Sequence, residues 1–309
     1  PVFEIHNAGL PTHYIGTEPP AVEGRFTKLK NVFSSAGSYK ELTKNISASI
    51  NTRLYAMMPQ PLTHMLVAGD QFLAIAENKK RGRRFERFIF GHCQDYSNAI
   101  LKNASAETHL ERIGVLLDAP GPMFTSDYAY MKRKVFLTSE VWYPTLSNFF
   151  DRIEKKTGTR VRIAGHYKAT HPFIAECFGN REVHYHKTME LVRDCDFVVT
   201  RSSAAVSYAV LFRKPVVFIY SDQLLGDDLG LFHTFGMAKM LGTEPINIDH
   251  PPADLAPFLQ VNHAAYEAYE KACLTSSVTN RPNVQIILED IMKINTEGGF
   301  NLLNKLIVN

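Results

Sequence analysis

Hydrophobic positions in the second half of the chain fall in short runs separated by segments of helical periodicity. The runs predict strands at Ile113–Leu117, Val161–Ala164, Phe197–Thr200, Val216–Tyr220 and Ile246–Ile248. The segments between them predict helices at Tyr143–Lys156, Thr188–Arg193, Ala204–Phe212 and Leu231–Met240. Short apolar strands that alternate with helices indicate right-handed β-α-β crossovers. The pattern therefore predicts a doubly wound parallel sheet with helices on both faces.

The first hundred residues show a shorter α/β pattern. Apolar runs predict strands at Val2–Ile5, His13–Ile15, Thr63–Val67 and Phe88–Phe90, and a helix between Tyr39 and Met57. A small, polar stretch at Lys102–Thr108 is typical of a linker. We therefore predict an α/β protein of two Rossmann-like lobes, residues 1–108 and residues 109–309. The second lobe ends in two further helical stretches, Ala253–Ala272 and Val284–Ile294.

Composition narrows the class of protein. A chain of 309 residues that is 45% hydrophobic can bury one large core or two modest ones, and the usual domain size favours two. The net charge is +3, with acidic and basic residues interspersed, which argues against a nucleic-acid partner. A basic run between Lys79 and Arg87 is either a solvated loop or a contact with an anionic membrane face.

Cysteine usage and hydropathy indicate the compartment. The four cysteines are scattered, with no CxxC pair, which argues against a zinc site and a disulfide framework and suits a reducing compartment. No apolar run approaches the roughly 20 residues of a membrane-spanning helix, and no basic-then-apolar leader precedes the first predicted strand. We therefore expect a cytoplasmic protein. Because the chain begins at Pro1, within an apolar stretch and without a methionine, we also expect residues upstream of it.

The residues after each strand carry the candidate chemistry, because ligands of an open parallel sheet collect at the carboxyl ends of its strands. The strand ending at Thr200 is followed by Arg201, Ser202 and Ser203, and then by a predicted helix. Free amides at a helix start, together with the threonine and serine hydroxyls, can bind a phosphate, and Arg201 adds a full positive charge. The alternative is that a serine only caps the helix, a role that is compatible with anion binding.

A second candidate site follows the strand that ends at Ala164. Here Gly165 is followed by His166 and, two residues on, by Lys168. A histidine at this edge can donate to a diphosphate or stabilise a leaving phosphate, and the lysine offers a point charge for the same purpose. His171 is a further candidate. The alternative for each histidine is a structural role.

Two aspartates are candidates for a general base. Asp118 follows the strand that opens the second lobe, where a carboxylate faces the cleft between lobes and can accept the proton of an acceptor hydroxyl. The alternative is that Asp118 organises the turn before Pro120. Asp95 follows the last predicted strand of the first lobe and is a rival from the opposite wall.

Metal binding and other nucleotide motifs have less support in the sequence. Residues 194–196, Asp-Cys-Asp, have the DxD spacing that binds manganese in one class of sugar transferases. They fall between a helix and a strand, at the amino edge of the sheet, so we interpret them as a surface turn. Glu182, His184 and His186 alternate on a short predicted strand without a further ligand nearby, and zinc is not predicted. The sequence contains no GxGxxG, P-loop or GxSxG motif.

Four segments of the second lobe resemble a known family. They are Ala-Gly-His-Tyr-Lys at 164–168, His-Lys-Thr at 186–188, Asp-Phe-Val-Val-Thr-Arg-Ser-Ser at 196–203 and Lys-Pro at 214–215. The stretch from Ile113 to Asp249 resembles the carboxyl-terminal half of bacterial surface-polysaccharide glycosyltransferases with the two-lobed GT-B fold. Those enzymes build capsule and lipopolysaccharide and include Kdo- and sialic-acid-type transferases.

The resemblance also extends to the motifs that face the donor phosphate in that family, a His-Pro dipeptide after one strand and a Ser-Ser/Thr pair after the next. Ser202 and Ser203 match the second motif. His166 matches the first with Tyr167 in place of proline, and the literal dipeptide stands further on, at His171-Pro172.

The resemblance implies a glycosyltransferase with its donor in the second lobe, a glycan or lipid-linked acceptor in the first, and reaction in the cleft between them. It implies a CMP- or UDP-linked sugar as substrate and no bound metal or other cofactor. Peripheral contact with the inner membrane is the expectation if the basic run between Lys79 and Arg87 meets an anionic membrane face. The resemblance also implies that Asp222 meets the donor's nucleotide or sugar. Two alternatives stay open: a sugar-nucleotide epimerase or hydrolase of the 2-epimerase type, and a non-catalytic subunit that binds a nucleotide sugar.

Overall fold

The computed structural model describes residues 2–5, 62–73, 87–102, 111–119, 121–124, 134–166, 174–277 and 279–293. The predicted strand at 13–15, the predicted helix between residues 39 and 57, and all of the basic run except Arg87 lie outside the described residues. The candidate site residues Lys168 and His171 lie outside them as well.

The described residues before and after the stretch 103–110 are called the first and the second lobe below. The first lobe contains a parallel three-stranded sheet in the order β1-β2-β3. Its strands are β1 Val2–Ile5, β2 Leu62–Val67 and β3 Arg87–Phe90, which confirms three of the four strands predicted there. Helix α1, Gln94–Leu101, follows β3 and was not predicted from the sequence. Its N-cap is Cys93, whose sulfur accepts a hydrogen bond from the amide of Tyr96. Cysteine is not one of the residues that usually cap helices, so the sequence contains little indication that a helix starts here.

The second lobe is a doubly wound parallel sheet of six strands. The strands are β4 Ile113–Leu117, β5 Arg160–Ala164, β6 Val183–His184, β7 Phe197–Thr200, β8 Val216–Tyr220 and β9 Ile246–Asn247. They lie in the order β6-β5-β4-β7-β8-β9, and every pair is parallel. This is the 3-2-1-4-5-6 order of dinucleotide-binding folds. The prediction of a doubly wound α/β lobe is confirmed.

Alternate residues of the central strands enter two separate cores, one on each face of the sheet. Leu116 and Val199 point into a core formed with helix α2, Ser139–Thr157. Val115 and Val198 point into a core on the other face. On the α2 side the fully buried aromatic side chains each contribute roughly 1.5–3 kcal/mol by leaving water. The continuous apolar strands of the sequence thus reflect burial on both faces.

The remaining helices are short. They are α3 Ile174–Cys177, α4 Thr188–Asp194, α5 Val206–Leu211, α6 Asp228–Met240, α7 His263–Tyr269 and α8, residues 283–293. The α6 helix begins three residues before its predicted start, because the Asp227 side chain caps it by accepting from the amide of Gly230 at 3.0 Å.

The predicted start of α2 at Tyr143 was wrong by four residues. The helix instead begins after Thr138, whose carbonyl accepts from the amide of Trp142 at 2.9 Å. The additional turn buries Trp142 and Tyr143 at the carboxyl edge of the sheet, where α2 starts.

The predicted continuous helix at Ala253–Ala272 was also wrong. The structure has a 3₁₀ turn at Ala256–Leu259, then α7, then a π-helical turn at Glu270–Leu274. Pro257 confines the first turn, and Asn262 starts the next helix by accepting from the amide of Ala265 at 3.1 Å.

The chain then returns to the first lobe. The amide of Cys93 donates to the carbonyl of Leu274 at 2.7 Å. The side chain of Asn283 pairs with the backbone of His92, accepting from its amide at 2.9 Å and donating to its carbonyl at 2.8 Å. First-lobe side chains such as Met65 share a core with those of α5. Among the described residues, no helix combines the length and the apolar character needed to cross a membrane.

Candidate functional site

Strand order places one ligand-binding crevice at the middle of the second sheet. The order reverses between the neighbouring strands β4 and β7. At such a switch point the two crossover connections leave toward opposite faces, which opens a crevice beyond the carboxyl ends of the strands. Asp118 directly follows β4, and Arg201 directly follows β7. The sequence predicted both residues for the site, and the fold brings their charges together there.

Asp118 has the properties of a general base. Its side chain is partly exposed, and its Oδ2 faces the amide of His166 at 3.4 Å. Burial raises the pKa of Asp118 to about 6, and this effect outweighs the amides of His166 and Ala119 and the charge of Arg201, which lower it. A carboxyl group with this pKa is ionised at neutral pH and basic enough to take a proton in a reaction.

Arg201 is held at the mouth of the crevice by an aromatic ring. The centre of its guanidinium lies 5.6 Å from the centroid of the Trp142 ring, in cation–π contact. Tyr143, the next residue, is held edge-to-face against Phe178 at 5.3 Å between ring centroids. Burial and then the charge of Asp118 raise the pKa of its hydroxyl, so the phenol stays protonated. Sequence reasoning missed both aromatic residues, although their place at the start of the helix after β4 was a usable signal.

The loop after β7 differs from the predicted helix start. Helix α5 begins at Val206 and not at Ala204, and it has no side-chain cap. Thr200 is fully buried, donates its hydroxyl proton toward the carbonyl of Leu117 at 3.4 Å and accepts from the amide of Ser203 at 3.2 Å.

The amides of Ser203 and Ala205 are bonded to hydroxyls within this segment, so they are not left for a ligand. The Ser203 hydroxyl accepts from the amide of Ala205 at 3.3 Å. The amides of Ser202 and Ala204 make no hydrogen bond to another described residue, and both are loop donors that can meet an anion. A six-residue helix adds little dipole, so Arg201 is the main source of positive charge here.

Gly165 lies where the sequence placed it, after β5, but its missing side chain serves packing. A Cβ at this position would lie 2.7 Å from Cε1 of Tyr185. Tyr185 follows β6, and its half-buried ring thus crosses the end of β5 toward the switch point. His166 contributes its backbone amide to Asp118.

The arrangement combines a carboxylate base with an arginine at one crevice, which suits attack by a hydroxyl beside a phosphate leaving group. Comparison of the chain with protein-family models, with curated proteins and with solved structures finds no match.

Asp222 lies at the same carboxyl edge but further along the sheet, after β8. Its carboxylate accepts from the side-chain amide of Asn247 at 2.7 Å and lies 3.2 Å from Nε2 of His250. Its backbone amide donates to Asp249 at 2.8 Å. It follows the strand next to that of Arg201, one strand further from the switch point, so it belongs to the flank of the crevice.

Asp95 lies where α1 of the first lobe meets α5 of the second. Its carboxylate accepts hydrogen bonds from the hydroxyls of Ser207 and Tyr208. Burial is the dominant influence and raises the pKa of Asp95. The structure does not bring it to Asp118 through any described contact, and its bonds serve the contact between the two helices.

The predicted position of the Asp-Cys-Asp segment is confirmed. Asp194 is the last residue of α4, and Asp196 directly precedes β7 at the amino edge of the sheet. Asp194 pairs with Arg193, and Asp196 pairs with Arg112 at 2.9 Å. The predicted alternation of two histidines on one strand was wrong, because β6 ends at His184 and His186 has a left-handed backbone with φ of 59°. Within the described ranges, no three His, Cys, Asp or Glu side chains are grouped to hold a metal ion.

Proposed function

We propose that the protein is a glycosyltransferase that moves a sugar from a nucleotide donor to a hydroxyl of a glycan or lipid-linked acceptor. The observation that carries the proposal is the placement of Asp118 and Arg201 directly after the neighbouring strands β4 and β7, at the switch point of the second lobe, where the charge of Arg201 lowers the pKa of Asp118. A base with a pKa of about 6 and a fixed cation are the two groups that this transfer requires from a protein.

In the proposed reaction the acceptor hydroxyl attacks the anomeric carbon of the donor sugar. A new carbon–oxygen bond to the acceptor forms while the bond from the anomeric carbon to the donor phosphate oxygen breaks. Asp118 takes the hydroxyl proton, and the phosphate leaves with the bonding electrons. Arg201 and the amide of Ser202 neutralise the negative charge that develops on that phosphate. Thr200 is not assigned to the phosphate, because its hydroxyl is buried and bonded within the fold.

The first lobe supplies the acceptor side in this proposal, in a two-lobed arrangement of the GT-B type. The candidate acceptors are a glycan or a lipid-linked sugar of a bacterial envelope polysaccharide. The acceptor wall is expected on the first sheet, whose strands are parallel and whose carboxyl ends carry Gly69 and Gly91. A CMP- or UDP-linked sugar is the expected donor.

The donor can be tested with the only tryptophan of the chain. Trp142 lies under Arg201, so an anion that binds the guanidinium changes the surroundings of the indole. We expect CMP or UDP, and their sugar conjugates, to change the fluorescence of Trp142 in a saturable way. Arg201→Ala should weaken this binding at least tenfold, whereas Arg112→Ala, at an exposed ion pair on the opposite edge of the sheet, should leave it unchanged. Equal titrations in all three proteins would refute the phosphate site.

Transfer itself is measured with a radiolabelled donor and extracted envelope glycans or lipids. We expect Asp118→Asn to bind the donor and to lose at least a hundredfold in turnover. His166→Ala keeps the backbone amide that faces Asp118 and tests whether the side chain also acts on the phosphate, in which case turnover falls with the fold intact. Consumption of the donor at full rate without any acceptor would instead identify an epimerase or hydrolase. Donor binding without any turnover in the wild type would identify a non-catalytic subunit.

A further inference from the structure

Tyr185 forms an aromatic wall on one side of the candidate site. It follows the two-residue strand β6, and the next residue, His186, turns the chain with a positive φ of 59°. The side chain lies against the Cα of Gly165, where an added Cβ would meet ring atoms Cε1 and Cδ1 at 2.7 and 3.1 Å. Tyr185 is only half-buried, so part of its side chain is accessible at this edge of the sheet. A glycine after β5 therefore gives the ring its place over the end of that strand.

The ring also lies within electrostatic reach of the base. Burial, and then the charge of Asp118, raise the pKa of the Tyr185 hydroxyl. Asp118 follows β4 and Gly165 follows the adjacent strand β5, so the ring spans the edge from β6 toward the switch point. Among the residues described at this edge, it is the aromatic side chain on the β5 side of Asp118, whereas Trp142 is engaged with Arg201.

General topology decides which part of a ligand lies there. In doubly wound sheets the phosphate group occupies the switch point and the nucleoside extends over the carboxyl end of the second strand of the fold. Strand β5 has that position in the order β6-β5-β4-β7-β8-β9. With a phosphate on Arg201, the nucleoside extends over Gly165 and reaches the ring of Tyr185. A base has an aromatic face, and stacking on a tyrosine is its usual contact in proteins.

We propose that Tyr185 is the stacking platform for the nucleobase of the donor, and that Gly165 is glycine so that the ring can occupy this place. The inference rests on the proposed function, because it needs a nucleotide in the crevice. It assigns the β5–β6 side of the edge to the base and leaves the β8–β9 side, with Asp222, to the transferred sugar or the acceptor. Tyr185 is a binding residue in this proposal and takes no proton.

The test compares a ligand that has a base with one that lacks it. CMP, UDP and ribose 5-phosphate are titrated into Tyr185→Ala and Tyr185→Phe by calorimetry. We expect Tyr185→Ala to weaken CMP or UDP about 5- to 100-fold, the range of one lost stacking contact, and to leave ribose 5-phosphate unchanged. Tyr185→Phe should bind all three like the wild type, because it keeps the ring. If Tyr185 only supported the structure, Tyr185→Ala would weaken the binding of CMP, UDP and ribose 5-phosphate to the same degree, which would overturn the proposal.

Two further variants make the position of the base falsifiable. Tyr220→Ala removes a half-buried aromatic ring at the carboxyl end of β8 and should leave CMP and UDP binding unchanged. Gly165→Ala should displace the Tyr185 ring and weaken nucleotide binding to a similar degree, with no additional loss in the Gly165→Ala, Tyr185→Ala double variant.

The outcomes separate the two proposals. Nucleotide binding that responds to Tyr220→Ala and not to Tyr185→Ala would overturn this assignment while leaving the proposed function intact. Absence of any nucleotide binding by the folded wild type would overturn both.

Discussion

Replacing Asp118 with asparagine should stabilise the protein while removing its proposed activity. The carboxyl group is nearly the same shape as an amide, and the amides of His166 and Ala119 that face it can donate to an asparagine oxygen as well. The substitution removes a charge that burial disfavours. An active-site group kept at an energetic cost is expected to behave in this way.

The magnitude follows from the pKa. Burial raises the pKa of Asp118 from 3.8 to about 6, and one pH unit is worth about 1.4 kcal/mol, which gives roughly 3 kcal/mol as an upper bound. Because the side chain is partly exposed, solvent screening reduces this value, and we expect Asp118→Asn to add about 1–2 kcal/mol to the free energy of unfolding at pH 7.5.

The stabilisation expected from Asp118→Asn depends on pH between about 3.8 and 6. The folded-state pKa is raised, so above pH 6 the native protein carries a charge that the unfolded chain holds more easily, and the full penalty is present. As pH falls from 6 toward 3.8 the native carboxyl group is protonated first and the penalty disappears. Urea unfolding should therefore show about a third of the stabilisation at pH 4.5 that it shows at pH 7.5.

A matched control is Asp196→Asn, which removes an exposed carboxylate paired with Arg112 at 2.9 Å. It should cost less than about 1 kcal/mol and show no gain at neutral pH. Asp118→Asn that destabilises the protein at pH 7.5, or that stabilises it equally at both pH values, would refute the reasoning that burial governs this carboxyl group.

The other predictions concern the packing of the C-terminal segment on the first lobe and are measured by urea unfolding. Asn283→Ala leaves the buried amide and carbonyl of His92 without partners and should lower the free energy of unfolding by about 2–5 kcal/mol. The control Asn262→Ala removes an exposed helix cap and should lower it by about 1 kcal/mol, so equal losses would contradict the prediction. Gly69 has a φ of 77°, and a Cβ added there would lie 2.4 Å from a backbone oxygen, so Gly69→Ala should lower the free energy of unfolding by roughly 3 kcal/mol or more. Gly158 has a similar φ of 68° but open space around it, so Gly158→Ala should lower it by only about 1 kcal/mol. Burial lowers the pKa of His92, so the unfolded chain takes up the proton first and stability contributed by the neutral ring is lost as pH falls below about 6.5. His92→Gln should flatten the loss of stability between pH 6.5 and 5, and an unchanged slope would disprove the assignment.

The strands of the second lobe could be predicted because each is buried on both faces and reads as an unbroken apolar run. β7, Phe-Val-Val-Thr, is buried at all four positions. Asp118 and Arg201 could be predicted for the same reason, since a polar residue directly after such a run must stand at the carboxyl edge. Burial of the strand therefore fixes both the fold and the position of the charges beside it.

Features that depend on distant contacts could not be predicted. The pairing of Asn283 with His92 joins residues 191 positions apart, and neither carries a local signal for it. Tyr185 follows a strand of two residues, too short to give a period. The start of α5 was placed too early because Ser202 and Ser203 are residue types typical of helix caps. In the structure their loop is held instead by hydrogen bonds to Thr200 and within the loop.

This loop shows why the residue types of a motif define its chemistry less well than their hydrogen bonds do. A serine whose hydroxyl accepts from Ala205, and a threonine bonded to Leu117, shape the turn and orient the segment after β7, but they have fewer groups left for a ligand. Arg201 differs because its contact with the Trp142 ring is a cation–π contact, and a guanidinium is a fixed positive charge whose N–H groups suit an anion. Phosphate binding in the proposed reaction should therefore depend mainly on Arg201, beside the Trp142 ring. The neighbouring Asp118 is ionised at neutral pH, but burial makes its charged form less favourable than that of an exposed aspartate. In the proposed reaction, the negative charge of a bound donor offsets the charge of Arg201, which lowers the pKa of Asp118 in the free protein. Donor binding should therefore raise that pKa and make the carboxylate a stronger base.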